Sequence, residues 1–163
     1  MSLPPTYVEG WHDPSVVAKM PYRPLGAEGR LVSLLTFGAS SLAGAFRSTT
    51  EEENERVVVA AVKAGINVID TAPWYGFGES ERILGRALKA VPRAAYYLHT
   101  KCCRYQPGVL EQFDFTYDRT IKSVEESLER LQLEYIDTVQ VHDPEARLEP
   151  PRLNGFPTRG RVA

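Results

Sequence analysis

What most constrains this chain is an alternation. Short apolar runs at residues 34–37, 66–69, 95–98 and 135–141 are separated by longer stretches whose apolar residues recur at helical spacing. Runs this short do not make helices and fit buried strands. The first intervening stretch opens at Thr50, whose hydroxyl can cap a helix while Glu53 reaches back to the capping residue's amide. Its body presents Val57, Val58, Ala61 and Val62 on one side, and Gly65 supplies a left-handed stop. The second stretch carries Ile83, Leu84, Ala87 and Leu88 on one face; the third, residues 118–131, carries Ile121, Val124, Leu128 and Leu131. Strand and helix thus alternate with a period of roughly 35 residues, the pattern of right-handed βαβ crossovers. The expected fold class is α/β with an open parallel sheet. Ahead of it, PYRPLGAEGRLVS sets two extended pieces around a Gly-rich turn at Gly26 to Gly29 and reads as a hairpin.

Two architectures share that order, a doubly wound sheet and a β/α barrel. A doubly wound sheet normally places a Gly-rich phosphate loop after its first strand, and GASSLAG lacks the GxGxxG spacing. The barrel is favoured by polar, reactive residues at the ends of three successive strands: Asp70, Lys101 and His142. In a barrel those ends form one ring, so residues distant in sequence face a common centre. Tyr75 joins them from the Pro/Gly-punctuated loop after Asp70, beside Trp74.

Together these four have a clear chemical use. A phenol with an ordinary pKa of about 10 is a weak proton donor at neutral pH, and an adjacent ammonium such as Lys101 favours its ionised form. Asp70 would hold Lys101 by a charged hydrogen bond, and His142 would orient a carbonyl oxygen beside the phenol. Such a set protonates a carbonyl oxygen during reduction by a nicotinamide, a cofactor carrying the reducing power that side chains lack. Run backwards, it deprotonates an alcohol.

Composition limits the alternatives. With 163 residues, 43% of them hydrophobic, the chain can bury one core. A net charge of −2 offers no attraction to nucleic acid or to an anionic membrane. No apolar run is long enough for a membrane span, and the N-terminus lacks the features of a signal peptide, so the cytoplasm is the expected compartment. The two cysteines, Cys102 and Cys103, are neighbours and are expected as reduced thiols. His12, His99 and the charge run Glu51 to Glu53 are expected to be structural or solvent-facing, and no metal-ligand spacing appears. Residues 1–19 read as a loosely held extension, 20–144 as the folded domain and 145–163 as a disordered tail, with three prolines, four arginines and no apolar period after Glu145.

The segments YRPLGAEGRLVSLLTFGAS, INVIDTAPWYGFGESERILGRAL, the TK pair at Thr100 and Lys101, and SVEESLERLQLEYIDTVQVHD resemble the aldo-keto reductases. The wording is most similar to the L-galactose dehydrogenase-like branch, above all in FDFTYDRTIKSVEESLERL and VQVHD. The resemblance implies a (β/α)8 TIM barrel of which this chain holds the N-terminal half, since a whole barrel takes about 250 residues. It also implies NAD or NADP as cofactor, a sugar or other carbonyl or alcohol as substrate, and Tyr75 as proton donor and acceptor. Asp70, Lys101 and His142 would support Tyr75, and Asp70 and Gly38 would border the cofactor. A half barrel leaves open strand edges, so the expectation extends to impaired activity and to self-association through those edges. The alternative is a non-catalytic fragment acting as an interaction or regulatory protein.

Overall fold

A computed structural model of the chain describes residues 3–44, 48–105, 108 and 112–147. Its centre is a four-stranded parallel sheet in the order β3-β4-β5-β6, with β3 at Phe37–Gly38, β4 at Val68–Asp70, β5 at Tyr97–Cys102 and β6 at Thr138–Val141. Three helices connect these strands: α2 at Glu51–Lys63, α3 at Glu79–Ala87 and α4 at Tyr117–Leu131. A short helix α1, Pro14–Val17, and an antiparallel hairpin of β1, Tyr22–Leu25, and β2, Arg30–Ser33, precede them. Strand order follows chain order, as expected of a barrel half, and the parallel, hairpin-preceded α/β architecture is the one the alternation predicts.

Register divides the sheet into two faces. Phe37 pairs with Ile69, Ile69 with Leu98, and Thr100 with Val139; Gly38 pairs with Asp70, Asp70 with His99, and Lys101 with Gln140. Because side chains alternate, Ile69, Leu98 and Thr100 share the face that packs against the helices, whereas Asp70, His99 and Lys101 share the other. The first set is essentially inaccessible, and its Ile69 and Leu98 join Val58, Val62, Leu84, Ala87, Leu88 and Leu131 in one core. α2 begins with the capping box foreseen at Thr50 and Glu53, each satisfying the other's backbone amide.

Where α3 crosses α4 the chains come very close. A Cβ added at Gly85 would lie 2.6 Å from the Leu131 carbonyl oxygen and 2.7 Å from that of Arg130, so no side chain fits. The crossing is reinforced by Glu81, which is fully buried on α3. It accepts from Thr100 Oγ1 of β5 at 2.6 Å and from Arg130 Nε of α4 at 2.7 Å, so one carboxylate joins three elements. Removing one member of a buried pair like this costs about 3–5 kcal/mol.

Several expectations need correction. The N-terminal segment is not loosely held. Val17, Thr6 and His12 are buried, and the amide of the buried Asn67 donates to Thr6 Oγ1 and to the Leu31 carbonyl while its Oδ1 accepts from the Ser33 amide. His12 accepts from the Val8 amide at Nδ1 and lies 3.2 Å from the Val62 carbonyl at Nε2, which pins the segment to α2. The first strand is later and shorter than expected: Leu34 and Leu35 are exposed, held in the bend after the hairpin by Leu34 N–H to Pro21 O and by Ser33 Oγ to Leu35 O. The third strand begins at Tyr97, with Ala95 in the preceding 3-10 turn, and the fourth begins at Thr138 rather than Tyr135. Val57 and Ile121 are exposed, while Ser123, Ser127 and Leu131 are the buried residues of α4. Of the tail, the start forms a 3-10 turn at Pro144–Arg147 and residues 148–163 lie outside the described ones.

The α3–α4 crossing yields a direct test. Gly85→Ala is expected to lower stability by about 1–3 kcal/mol in urea unfolding, because the overpacking exceeds the gain in helix propensity, which is about 1 kcal/mol at most. An unchanged or raised midpoint would contradict so tight a contact.

Candidate active site

At the carboxyl ends of β4, β5 and β6 the four expected residues come together. Asp70 ends β4, and Lys101, two positions beyond Asp70's ladder partner His99, is its diagonal neighbour on the same sheet face. Lys101 Nζ donates to Asp70 Oδ2 at 2.6 Å and to the Thr71 carbonyl at 3.0 Å. Both side chains are largely shielded, 13% and 25% exposed, so water weakens this pair less than it would a surface one.

Tyr75 is brought to the same place by the loop after β4. Its amide donates to the Ala72 carbonyl and its carbonyl accepts from the Ser80 amide, which ties the loop to the start of α3. The turn continues through Gly76 at φ +61°, where a Cβ would stand 2.6 Å from that of Ala43, so glycine is required for both conformation and space. Lys101 Nζ then lies 4.9 Å from the centre of the Tyr75 ring. From the other side His142 meets that ring edge-on, with centroids 5.8 Å apart at 83°. His142 follows β6 directly, and its amide donates to the Cys102 carbonyl at 3.0 Å.

The imidazole is 12% exposed, and burial is the main reason its pKa falls below the usual histidine value; Lys101 and Arg104 lower it further, while Asp143 and Asp70 oppose the change. Its buried Nδ1 has no hydrogen-bond partner among the described residues. An unmet buried nitrogen costs about 1–3 kcal/mol, which a polar ligand atom at this spot would recover. Gly38, opposite Asp70 on the same sheet face, is exposed, and the space where its Cβ would stand is open. The rim therefore offers open space beside Gly38 and an unmet nitrogen on His142, and among the described residues no group of three or more His, Cys, Asp and Glu could hold a metal.

Residues that the motif did not single out complete the rim. Arg104, just past β5, donates from Nη1 to Asp143 Oδ2 at 2.6 Å and from Nε to Gln112 Oε1 at 3.1 Å, and its guanidinium lies 4.0 Å from the Trp74 ring centre. The signal available in the sequence was Asp143 directly after His142. The cysteines are free thiols, both buried, with Sγ atoms 3.4 Å apart; burial pushes the Cys102 thiol up to about 12. His99 is buried on the site face of β5 and, like His12, has its pKa lowered chiefly by desolvation.

The chain is thus a parallel βα half barrel with a tyrosine, lysine, aspartate and histidine at its carboxyl rim. The profile of the aldo/keto reductase family matches residues 34–155, and the chain belongs to that family. It is 46% identical over 131 residues to the L-galactose dehydrogenase of Arabidopsis thaliana, covering 79% of this chain and 40% of that protein. It is 34% identical over 157 residues to the D-threo-aldose 1-dehydrogenase of a Pseudomonas species, covering 83% and 48%. Among solved structures it resembles the holo form of an aldo-keto reductase from Bacillus halodurans, with a TM-score of 0.64 and 36% identity over 77% of this chain and 43% of that one. A Klebsiella pneumoniae aldo/keto reductase in complex with NADP and acetate gives a TM-score of 0.55 at 25% identity, covering 71% and 37%. The chain thus spans less than half the length of these relatives. Among the described residues no helix is long and apolar enough to cross a membrane.

All three histidines have pKa values lowered from 6.5. In the window between the lowered folded values and 6.5 the unfolded chain binds more protons, so stability rises with pH there and is lost as pH falls through it. The melting temperature is expected to hold level from pH 7 to 8 and to drop once pH falls below about 6.5. A melting temperature that rises on acidification from pH 7 to 5.5 would contradict the burial of these rings.

Proposed function

We propose that the chain carries the proton-transfer half of an NAD- or NADP-dependent oxidoreductase acting reversibly on a sugar or other small carbonyl and alcohol, in the manner of an L-galactose dehydrogenase. The single observation that supports this most is the Lys101–Asp70 pair held against the Tyr75 ring. When bound, a nicotinamide supplies or takes up the two electrons that no side chain here can carry. Asp70 and Gly38 would border it, one as a charged wall and the other as open space.

In carbonyl reduction, the Tyr75 hydroxyl donates its proton to the substrate oxygen, and the Lys101 ammonium stabilises the phenolate left behind. In alcohol oxidation the same phenolate takes the hydroxyl proton. Asp70 fixes Lys101 where its charge is needed; the second bond, to the Thr71 carbonyl, leaves little freedom for the ammonium to swing away. A neutral His142 can direct the substrate oxygen toward Tyr75 by donating a hydrogen bond, and the burial that lowers its pKa keeps it in that form at neutral pH. Small polyhydroxylated substrates suit the charged mouth formed by Arg104 and Asp143.

A second reading, an interaction fragment without turnover, is favoured by Val139 and Val141 of β6, which are 40% and 50% exposed. Such edges also suit self-association. Nicotinamide binding followed through tryptophan fluorescence, combined with turnover of L-galactose and other aldoses, separates the two readings. Catalysis predicts that Tyr75→Phe binds nicotinamide with unchanged affinity but loses turnover by at least about 100-fold. Binding without turnover in the unmodified chain would favour the interaction role.

A further inference from the structure

Asp143 presents a problem next to His142. Its Oδ2 lies only 3.9 Å from His142 Nε2, so a small side-chain rotation would close a histidine–carboxylate pair. That pair would stabilise the imidazolium and, in the neutral ring, hold the proton on Nε2, leaving the unpartnered Nδ1 with no hydrogen to donate. The same Oδ2 accepts from Arg104 Nη1 at 2.6 Å. Arg104 is itself fixed from three directions: Gln112 receives its Nε hydrogen, and its guanidinium lies 4.0 Å from the ring centre of Trp74 and 5.4 Å from that of Phe113. Asp143 also has φ at +48°, a left-handed conformation that aspartate tolerates better than most residues, so the pair locks the backbone just after His142 as well.

We propose that Arg104 is a positioning residue of the site: by pairing with Asp143 it withdraws that carboxylate from His142 and leaves the imidazole free to meet a substrate carbonyl oxygen. A guanidinium is charged at every working pH, whereas imidazole is charged only when protonated, so Arg104 wins the contest for Oδ2 throughout the neutral range. The groups facing His142 are Asp70 from β4, Tyr75 from the following loop, Lys101 from β5, and Arg104 and Asp143 from the loops beyond β5 and β6. Of these, Arg104 and Asp143 form the only pair outside the Asp70, Tyr75 and Lys101 set. The proposal rests on the reading of His142 as the group that orients the carbonyl.

The test is titration of the histidine ring C–H signals by NMR on the full chain, with His142→Gln to assign the resonance. Arg104→Gln removes a nearby positive charge and frees Asp143 to close on the ring. His142 is then expected to be about tenfold more protonated at a given pH, with the His12 and His99 titrations unmoved. Arg104→Lys is expected to restore most of the original midpoint, and Asp143→Asn in the Arg104→Gln background to reverse the rise. Should Arg104→Gln fail to fold, Asp143→Asn alone decides: with the carboxylate already held by Arg104, it is expected to move the His142 midpoint only slightly downward, and a loss of about tenfold or more in protonation at a given pH, or a rise, overturns the proposal. An unchanged or lowered midpoint in folded Arg104→Gln, or a rise that survives Asp143→Asn, also overturns it. The readout needs no turnover. An inactive chain would count against the catalytic reading, while the titration would still decide the role of Arg104.

Discussion

The ammonium of Lys101, shared between the Asp70 carboxylate and the Thr71 carbonyl, is the contact on which the site depends. It exists only because β4 and β5 are parallel and in one register. Asp70 pairs with His99, and Lys101 is two residues further along the same face. A slip of one residue would turn Lys101 toward the helices and bring Thr100, now bonded to Glu81, into the site face. Packing on the opposite face prevents that slip: Ile69 and Leu98 are fully buried between the sheet and the helices, and Thr100 is anchored to a buried carboxylate. The apolar side of the sheet therefore fixes the geometry of the polar side.

Tyr75 and His142 reach the rim from outside the strands, and backbone bonds hold both. Tyr75 is carried on a loop that could wander, yet its backbone is bonded to Ala72 behind and Ser80 ahead, and Gly76 lets it pass Ala43 at close range. His142 is held through the Cys102 carbonyl, so β5 supplies Lys101 directly and positions His142 through its backbone. Asp70 and Lys101 thus lie in strands, His142 is one hydrogen bond from β5, and Tyr75 is tied to the loop residue Ala72 and to α3. Such support keeps reacting groups within the few tenths of an ångström that proton transfer requires.

Much of this was legible in the sequence, for identifiable reasons. The alternation of short apolar runs with helical stretches depends on hydrophobic period, which reports burial directly, and Asp70, Lys101 and His142 could be placed because strand ends follow such runs. The capping box at Thr50 and Glu53 is a local motif and was readable for that reason. Strand limits were not, because Leu34, Leu35 and Tyr135 are apolar yet fall outside the ladder, and burial of a half-covered sheet does not follow hydrophobicity alone. The packed N-terminal segment was missed because polar residues hold it: Asn67, Thr6 and His12 make specific hydrogen bonds that no periodicity announces. Glu81 carried a usable clue, a carboxylate at helical spacing from Leu84, Gly85 and Leu88 on the buried face of α3, where an unpaired charge could not stay. Its partner Arg130 lies 49 residues away, and only the fold brings the two together.

A double-mutant cycle on Asp70→Asn and Lys101→Met, read by chemical unfolding, tests the central interaction most directly. Because the two groups are bonded at 2.6 Å and largely shielded, the effects are expected to be non-additive, with a coupling of roughly 0.5–3 kcal/mol that shrinks little at high salt. Additive effects, or a coupling abolished by salt, would mean that aspartate and lysine do not form the shielded pair on which the site is built.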